Sequence, residues 1–258
     1  MKSTIIHTAR KILYPDCCPG CGKVLEMDQE GFCPQCRTDI HPAKEPSCKC
    51  CGRPLGNETE AYCTDCKKTT HLFRQNKAYC TYQGGAKQAM YRFKYGNARW
   101  VGEWFAKALV KEQGEWLRFR QPEIIIPVPV HPRKKRERGY NQAEVLANFL
   151  AEYYGKISKE GCPPVVPLVR RSRYTTPQKE LSVTLRRKNL KKAFKLDKNV
   201  VKSRGIYSNG VQPVFQSVLI VDDIYTTGAT LDAMAELLLA GRMTQEVYAM
   251  TAVVGQNI

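Results

Sequence analysis

Eight cysteines, spaced as four C-x-x-C pairs with eleven residues between successive pairs, constrain how the N-terminal part of this chain can fold. The pairs are Cys18/Cys21, Cys33/Cys36, Cys48/Cys51 and Cys63/Cys66. A C-x-x-C turn aims two thiolates at one point, and two such turns complete a tetrahedral S4 cage. The unit repeats every thirty residues: Cys21-Gly22-Lys23-Val24-Leu25 maps onto Cys51-Gly52-Arg53-Pro54-Leu55, and Phe32 before Cys33 maps onto Tyr62 before Cys63. Between the turns there are too few large apolar residues for a core, so a bound metal would supply the folding free energy. Spacing leaves the pairing open. Sequential pairing gives two compact units, and interleaved pairing gives a cross-brace.

Ten of the twelve cysteines lie within residues 17–66; Cys17 and Cys50 break the spacing, and Cys80 and Cys162 read as ordinary thiols. A disulfide framework is the competing reading. Residues 1–14 set His7, Arg10 and Lys11 within a short apolar pattern of Ile5, Ile6, Ile12 and Leu13. That reads as a small amphipathic helix and not as the apolar stretch of a signal peptide. The expectation is a cytoplasmic chain with reduced thiols. The repeated unit resembles a duplicated zinc ribbon, which implies about two structural Zn2+ ions.

The second constraint is Val218-Leu-Ile-Val-Asp-Asp-Ile-Tyr-Thr-Thr-Gly-Ala-Thr230. Four apolar residues read as a buried strand, with Asp222 and Asp223 at its carboxyl end. Thr226, Thr227, Gly228, Ala229 and Thr230 form a small hydroxyl-rich turn, and Leu231 to Ala240 continues as an apolar helix. A turn that opens a helix presents backbone N–H groups and the positive end of the helix dipole to an anion. Gly228 permits close backbone approach, and the threonine hydroxyls add neutral donors. Carboxylates repel phosphate but suit a diol. A ribose 5-phosphate satisfies both halves, with its phosphate on the turn and its hydroxyls on the acidic pair.

The net charge of +17 is uneven. Residues 131–204 carry twenty Lys or Arg against six Asp or Glu. A polyanionic partner suits that stretch, either pyrophosphate or nucleic acid. Within it, the loop after the apolar strand Glu123–Val130 holds Arg133, Arg136 and Arg138. A further basic stretch contains Thr176, Gln178, Arg186, Arg187 and Lys188. It reads either as a lid that excludes water from a reactive ribosyl cation or as a nucleic-acid surface. A helix is expected over Arg99–Arg118, strands over Lys77–Gln83, Val165–Val169 and Val247–Val254, and a helix ending near Tyr154. Strands alternating with helices imply a parallel sheet with ligands at the strand carboxyl ends. No apolar run is long enough to span a bilayer.

The strand, acidic pair and Thr-Gly-x-Thr turn resemble the phosphoribosyl-pyrophosphate (PRPP) motif of type I phosphoribosyltransferases. The joint pattern resembles the ComF family of competence proteins. Its parts are the cysteine module, Pro127-Val128-Pro129 ahead of Arg136-Glu-Arg-Gly-Tyr-Asn-Gln142, Thr176-x-Gln178 leading to Arg186-x-x-Asn189, and the PRPP motif. The resemblance implies an α/β fold with a parallel-sheet, Rossmann-like phosphoribosyltransferase core over residues 73–258. An N-terminal helix and double zinc ribbon would cover residues 1–72. It further implies binding of PRPP or a nucleotide, with Mg2+ accompanying PRPP, and a role in DNA uptake during natural transformation. Single-stranded DNA and a helicase-like ATPase of the pathway would be partners, and the DNA-uptake machinery could hold the cytoplasmic protein peripherally at the inner face of the membrane. The alternative is an active phosphoribosyltransferase of nucleotide metabolism, with Asp222 and Asp223 as its catalytic pair. Thr226 stands where purine-salvage members carry an acidic base, which disfavours purine salvage.

Overall fold

The computed structural model describes residues 15–172, 193–206 and 215–256. The helix expected within residues 1–14 lies outside them.

Each half of the cysteine repeat folds in the same way. Cys18 N donates to Lys23 O and Gly22 N to Cys18 O, both at 2.8 Å; thirty residues on, Cys48 N donates to Arg53 O and Gly52 N to Cys48 O. Gly22 and Gly52 sit at φ +78° and +73°, a left-handed turn that disfavours any side chain. In the second thiol pair of each half the first cysteine caps a short helix and the second lies within it, in α1 (Pro34–Arg37) or α2 (Thr64–Lys68).

The core is a four-stranded parallel sheet in the order β1 (Asn76–Thr81), β6 (Thr244–Val254), β5 (Phe215–Tyr225), β2 (Ile124–Pro127). Val218 to Val221 are fully buried because the sheet is covered on both faces. Leu219 and Val221 point to one face, towards Phe93, Phe105, Leu109, Leu146 and Leu150. These come from helices α3 (Gly84–Tyr95), α4 (Arg99–Arg120) and α6 (Gln142–Gly155). Val218 and Ile220 point to the other face, towards Leu231, Met234 and Leu238 of α8 (Ala229–Ala240). The period-two alternation of a strand thus feeds two separate cores.

The two ribbons join opposite cores. Cys18, Phe32 and Cys33 pack with the first, and Cys48, Cys51, Cys63 and Phe73 with the second. The linker between them runs along the outer edge of β1, where Ala43 N donates to Tyr79 O and Thr81 N to His41 O. It covers backbone groups that an edge strand would otherwise expose.

Two expectations need correction. The basic stretch after β2 is a helix, α5 (Pro132–Arg138). Pro132 stands at its start, the His131 ring accepts from Arg133 N at 3.2 Å, and Gly139 ends it at φ +79°. The strand expected at Val165–Val169 reduces to a single bridge between Val165 and Ile125. Pro163, Pro164 and Pro167 have no N–H to give a ladder. The chain pairs again only at β3 (Val169–Arg171), antiparallel to β4 (Phe194–Leu196), ahead of a short helix α7 (Lys198–Ser203). The strand expected at Val247–Val254 is β6, an inner strand because β1 adds outside it.

Candidate functional site

The acidic pair lies at the carboxyl end of β5, where three separate elements, α3, α5 and β3, bring cations near it. Lys94, near the end of α3, places Nζ 3.0 Å from Asp223 Oδ2, with side chains 19 % and 13 % exposed. Burial works against the Lys94 ammonium, but Asp223 and Asp222 outweigh it and raise its pKa. Asp223 N donates to Asp222 Oδ1 at 2.8 Å. Burial, and then the neighbouring Asp223, pushes the Asp222 carboxyl up to about 8 against the pull of Lys94 and Arg171.

Helix α5 carries Lys134 and Arg138, one helical turn apart, into range of Lys94, and Lys134 into range of Arg171. Lys134 is held below its ordinary pKa by burial and by Arg138, Arg171 and Lys94 around it. Arg138 lies 5.4 Å from the Tyr95 ring centre and donates to Gln142 Oε1 at 3.1 Å. Arg171, on β3, is lowered by burial while Asp222 opposes the shift. Lys94 and Arg171 act on the carboxyls directly, one of which is inclined to keep its proton, and Lys134 and Arg138 stand beside those two cations. Positive charge thus gathers beside two carboxyl groups whose oxygens suit a diol.

The turn that follows is shaped for an anion. Thr226 and Thr227 are exposed, and Gly228 is the N-cap of α8 at φ +75° with no side chain capping the helix. A Cβ at Gly228 would lie 2.7 Å from both His71 Cε1 and the Tyr225 hydroxyl, so glycine is required there twice over.

Of the arginines expected to meet a pyrophosphate, Arg138 is brought to the cleft. Arg133 instead pairs with Glu137 at 3.2 Å, and Arg136 is exposed on the far side of α5. His131 caps α5, a structural role. Thr176, Gln178, Arg186, Arg187 and Lys188 lie outside the described residues. Sequence reasoning missed Lys94 and Arg171. Lys134 was readable from its i, i+4 spacing to Arg138 once α5 is taken as a helix. Lys94 carried no local signal, because its side chain is aimed by the packing of α3.

The cysteine cages resolve the pairing as sequential: Cys18, Cys21, Cys33 and Cys36 form one, and Cys48, Cys51, Cys63 and Cys66 the other. Within each set the sulfurs lie within 4.8 Å of one another. A tetrahedron with zinc–sulfur bonds of about 2.3 Å has sulfurs about 3.8 Å apart. Cys21 and Cys33 are separated by 3.8 Å, and Cys51 and Cys63 by 3.7 Å, so both cages fit zinc. Elemental analysis of the purified protein is expected to find about two zinc ions per chain. Absence of zinc together with oxidised thiols would refute the assignment. No helix among the described residues is long and apolar enough to cross a membrane.

Comparison with known proteins agrees with this geometry. Residues 9–67 match the double zinc ribbon domain, and residues 138–256 match the phosphoribosyl transferase domain. Competence protein F of Haemophilus influenzae is 34 % identical over 150 residues, 57 % of this chain and 58 % of the relative. DNA utilization protein YhgH of Salmonella typhi is 35 % identical over 128 residues, 49 % of this chain and 48 % of the relative. Competence protein ComFC of Bacillus subtilis is 26 % identical over 186 residues, 70 % of this chain and 65 % of the relative. The matched stretch thus spans about half to two thirds of the length of these relatives.

Proposed function

The chain belongs to the ComF family, and on that premise we propose that its cleft binds a phosphorylated ribose in the service of DNA uptake. One observation carries the ligand: the acidic pair is flanked by an uncapped helix N-terminus on one side and by Lys94, Lys134, Arg138 and Arg171 on the other. A ribose with a phosphate at each end spans that arrangement. Its 5-phosphate takes the turn, its hydroxyls take Asp222 and Asp223, and a pyrophosphate or nucleotide phosphate takes the cations. Mg2+ prefers oxygen donors, and Lys94 already holds Asp223. The ion would therefore be held chiefly by the ligand's own phosphates. The role in DNA uptake rests on the relatives' names, which speak of competence and DNA utilization.

Calorimetric titration with PRPP and with ribose 5-phosphate tests the ligand. Replacing both Lys134 and Arg138 with Ala should weaken PRPP about tenfold or more while changing ribose 5-phosphate little, since charge-assisted bonds to the second phosphate are lost. Equal losses for both ligands, or none, would remove these cations from the pyrophosphate site.

Turnover is the second reading. Positioned cations and an anion turn can stabilise displacement at the ribose C1. Thr226 offers no base for an acceptor, so an acceptor that brings its own nucleophile would be needed. The charge of residues 131–204 also favours single-stranded DNA as a partner, with a helicase-like ATPase acting alongside. Single-strand affinity should then fall with salt at a log–log slope of about −0.7 per phosphate contacted. A flat salt response would remove DNA from the reading.

A further inference from the structure

The duplicated ribbon supplies a comparison within one chain. Lys23 and Arg53 close the same turn in the two ribbons, and His41 and His71 follow thirty residues apart beyond the helix of each, yet both pairs behave differently. Lys23 is exposed, whereas its counterpart Arg53 is 5 % exposed. His41 is exposed, whereas its counterpart His71 has a side chain 2 % exposed. A ribbon held only for its own stability gives no reason for the second copy to bury a guanidinium and an imidazole.

Both buried groups face the phosphate turn. Arg53 Nε donates to Gly255 O at 2.7 Å, and Nη2 donates to Thr226 O at 3.3 Å. Its Nη1 reaches Asp65 Oδ2 at 2.8 Å and the metal-site sulfur of Cys63 at 3.8 Å. One rigid, planar fork thus joins the second cage to the first residue of the turn and to the segment after β6. Gly255 N in turn donates to Tyr225 O at 2.7 Å, closing the frame behind the turn. His71 lies on the other side. Its Nδ1 is 2.9 Å from Asp232 Oδ2 in the first turn of α8, and its Nε2 is 3.4 Å from the Tyr225 hydroxyl. Leu72 N also donates to Asp232 at 2.9 Å, and the His71 ring occupies the space that Gly228 leaves.

The first ribbon makes a similar tether to a different place. Arg92 of α3 donates to Gly20 O at 3.1 Å and to Cys21 O at 2.6 Å, and Phe32 packs edge-on to Trp104 of α4 at 4.8 Å. Those partners lie on α3 and α4, and α3 meets the acidic pair through Lys94, not the turn at residues 226–230.

We propose that Arg53 and His71 are positioning residues that couple the second cysteine cage to the phosphate turn. Metal on Cys48, Cys51, Cys63 and Cys66 and an anion at residues 226–230 strengthen each other, and the first cage stands apart. This rests on the reading of the turn as a phosphate site. Linkage is reciprocal, so a bound anion must slow metal loss by the factor that metal raises anion affinity.

The test uses the full-length, zinc-loaded chain and a chromogenic chelator, with ribose 5-phosphate as the probe. Binding of the probe is measured separately by calorimetry. One zinc equivalent is expected to leave about fivefold or more slowly when ribose 5-phosphate is bound, with the other unchanged. In Arg92→Ala, the unaffected equivalent should leave faster while the ribose 5-phosphate effect persists. In Arg53→Ala, or in His71→Gln should the arginine variant fail to fold, the effect should shrink or vanish. If ribose 5-phosphate binds but both zinc ions leave at unchanged rates, the coupling is overturned and the phosphate site stands. If calorimetry shows no binding, the phosphate site is overturned and takes the coupling with it.

Discussion

Stripping zinc from both cages should lower the thermal midpoint of the whole protein by about 10 °C or more, and not merely unravel its N-terminus. A structural zinc supplies about 10–16 kcal/mol of apparent binding free energy in small peptides, comparable to the entire stability of a domain, about 5–15 kcal/mol. The ribbons cannot survive that loss, since thiol cages replace a hydrophobic core there. The damage then spreads because the ribbons share the domain's own cores. Phe32 and Cys33 pack with Phe93 and Phe105, while Phe73 and Cys51 pack beside Ile220 and Met234. Uncovering one large apolar side chain on each face costs about 1.5–3 kcal/mol apiece. Loss of the segment at residues 41–43 also bares the edge of β1, which invites aggregation. Tryptophan fluorescence melts with and without a strong chelator check this, because Trp104 lies against Phe32 and reports the first ribbon directly. An unchanged melt of demonstrably zinc-free protein would mean that the ribbons are appendages.

The sheet and the cages were legible because their signals are local. Continuous apolar runs mark strands buried on both faces, as at Val218–Val221, and a fixed C-x-x-C spacing marks a metal turn. Helix α5 was not legible from periodicity, since Pro132–Arg138 has no apolar stripe. Its cues were Pro132 at the start and Gly139 at the end. The run at residues 165–169 is apolar, but Pro163, Pro164 and Pro167 cannot donate and leave a single bridge where composition alone implies a strand. Lys94 and Arg53 were out of reach for a different reason. Each meets its partners across 129 and 173 residues of sequence respectively, Lys94 at Asp223 and Arg53 at Thr226. Such meetings follow from which face of a helix or ribbon packs inward, and no local spacing encodes that.

Replacing Asp222 and Asp223 together with Asn should weaken ribose 5-phosphate about tenfold or more, through loss of two charge-assisted hydrogen bonds to its hydroxyls. The same variant should bind inorganic pyrophosphate as well as the parent or better. Lys94 is freed from Asp223, and four cations then face an anion with no carboxylate beside them. Opposite responses to the two ligands separate a diol site from a general electrostatic patch, and parallel responses would deny the diol role. The single variants divide the pair further. Asp223→Asn leaves the buried Lys94 ammonium without its partner and should destabilise the fold. Asp222→Asn should do the reverse at high pH. The Asp222 pKa is raised in the folded state to about 8, so the folded protein holds a proton that the unfolded chain releases in the ordinary carboxylate range. Its contribution to stability is fully present below that range and is lost as pH rises through about 8. Asn mimics the protonated carboxyl and removes this slope. Denaturant melts should show the two proteins alike at pH 4 and the Asn variant more stable at pH 9. A parent that gained stability over that interval relative to Asp222→Asn would show that the carboxyl is ionised throughout. The cleft would then present two full negative charges to its ligand in place of one acid and one carboxylate.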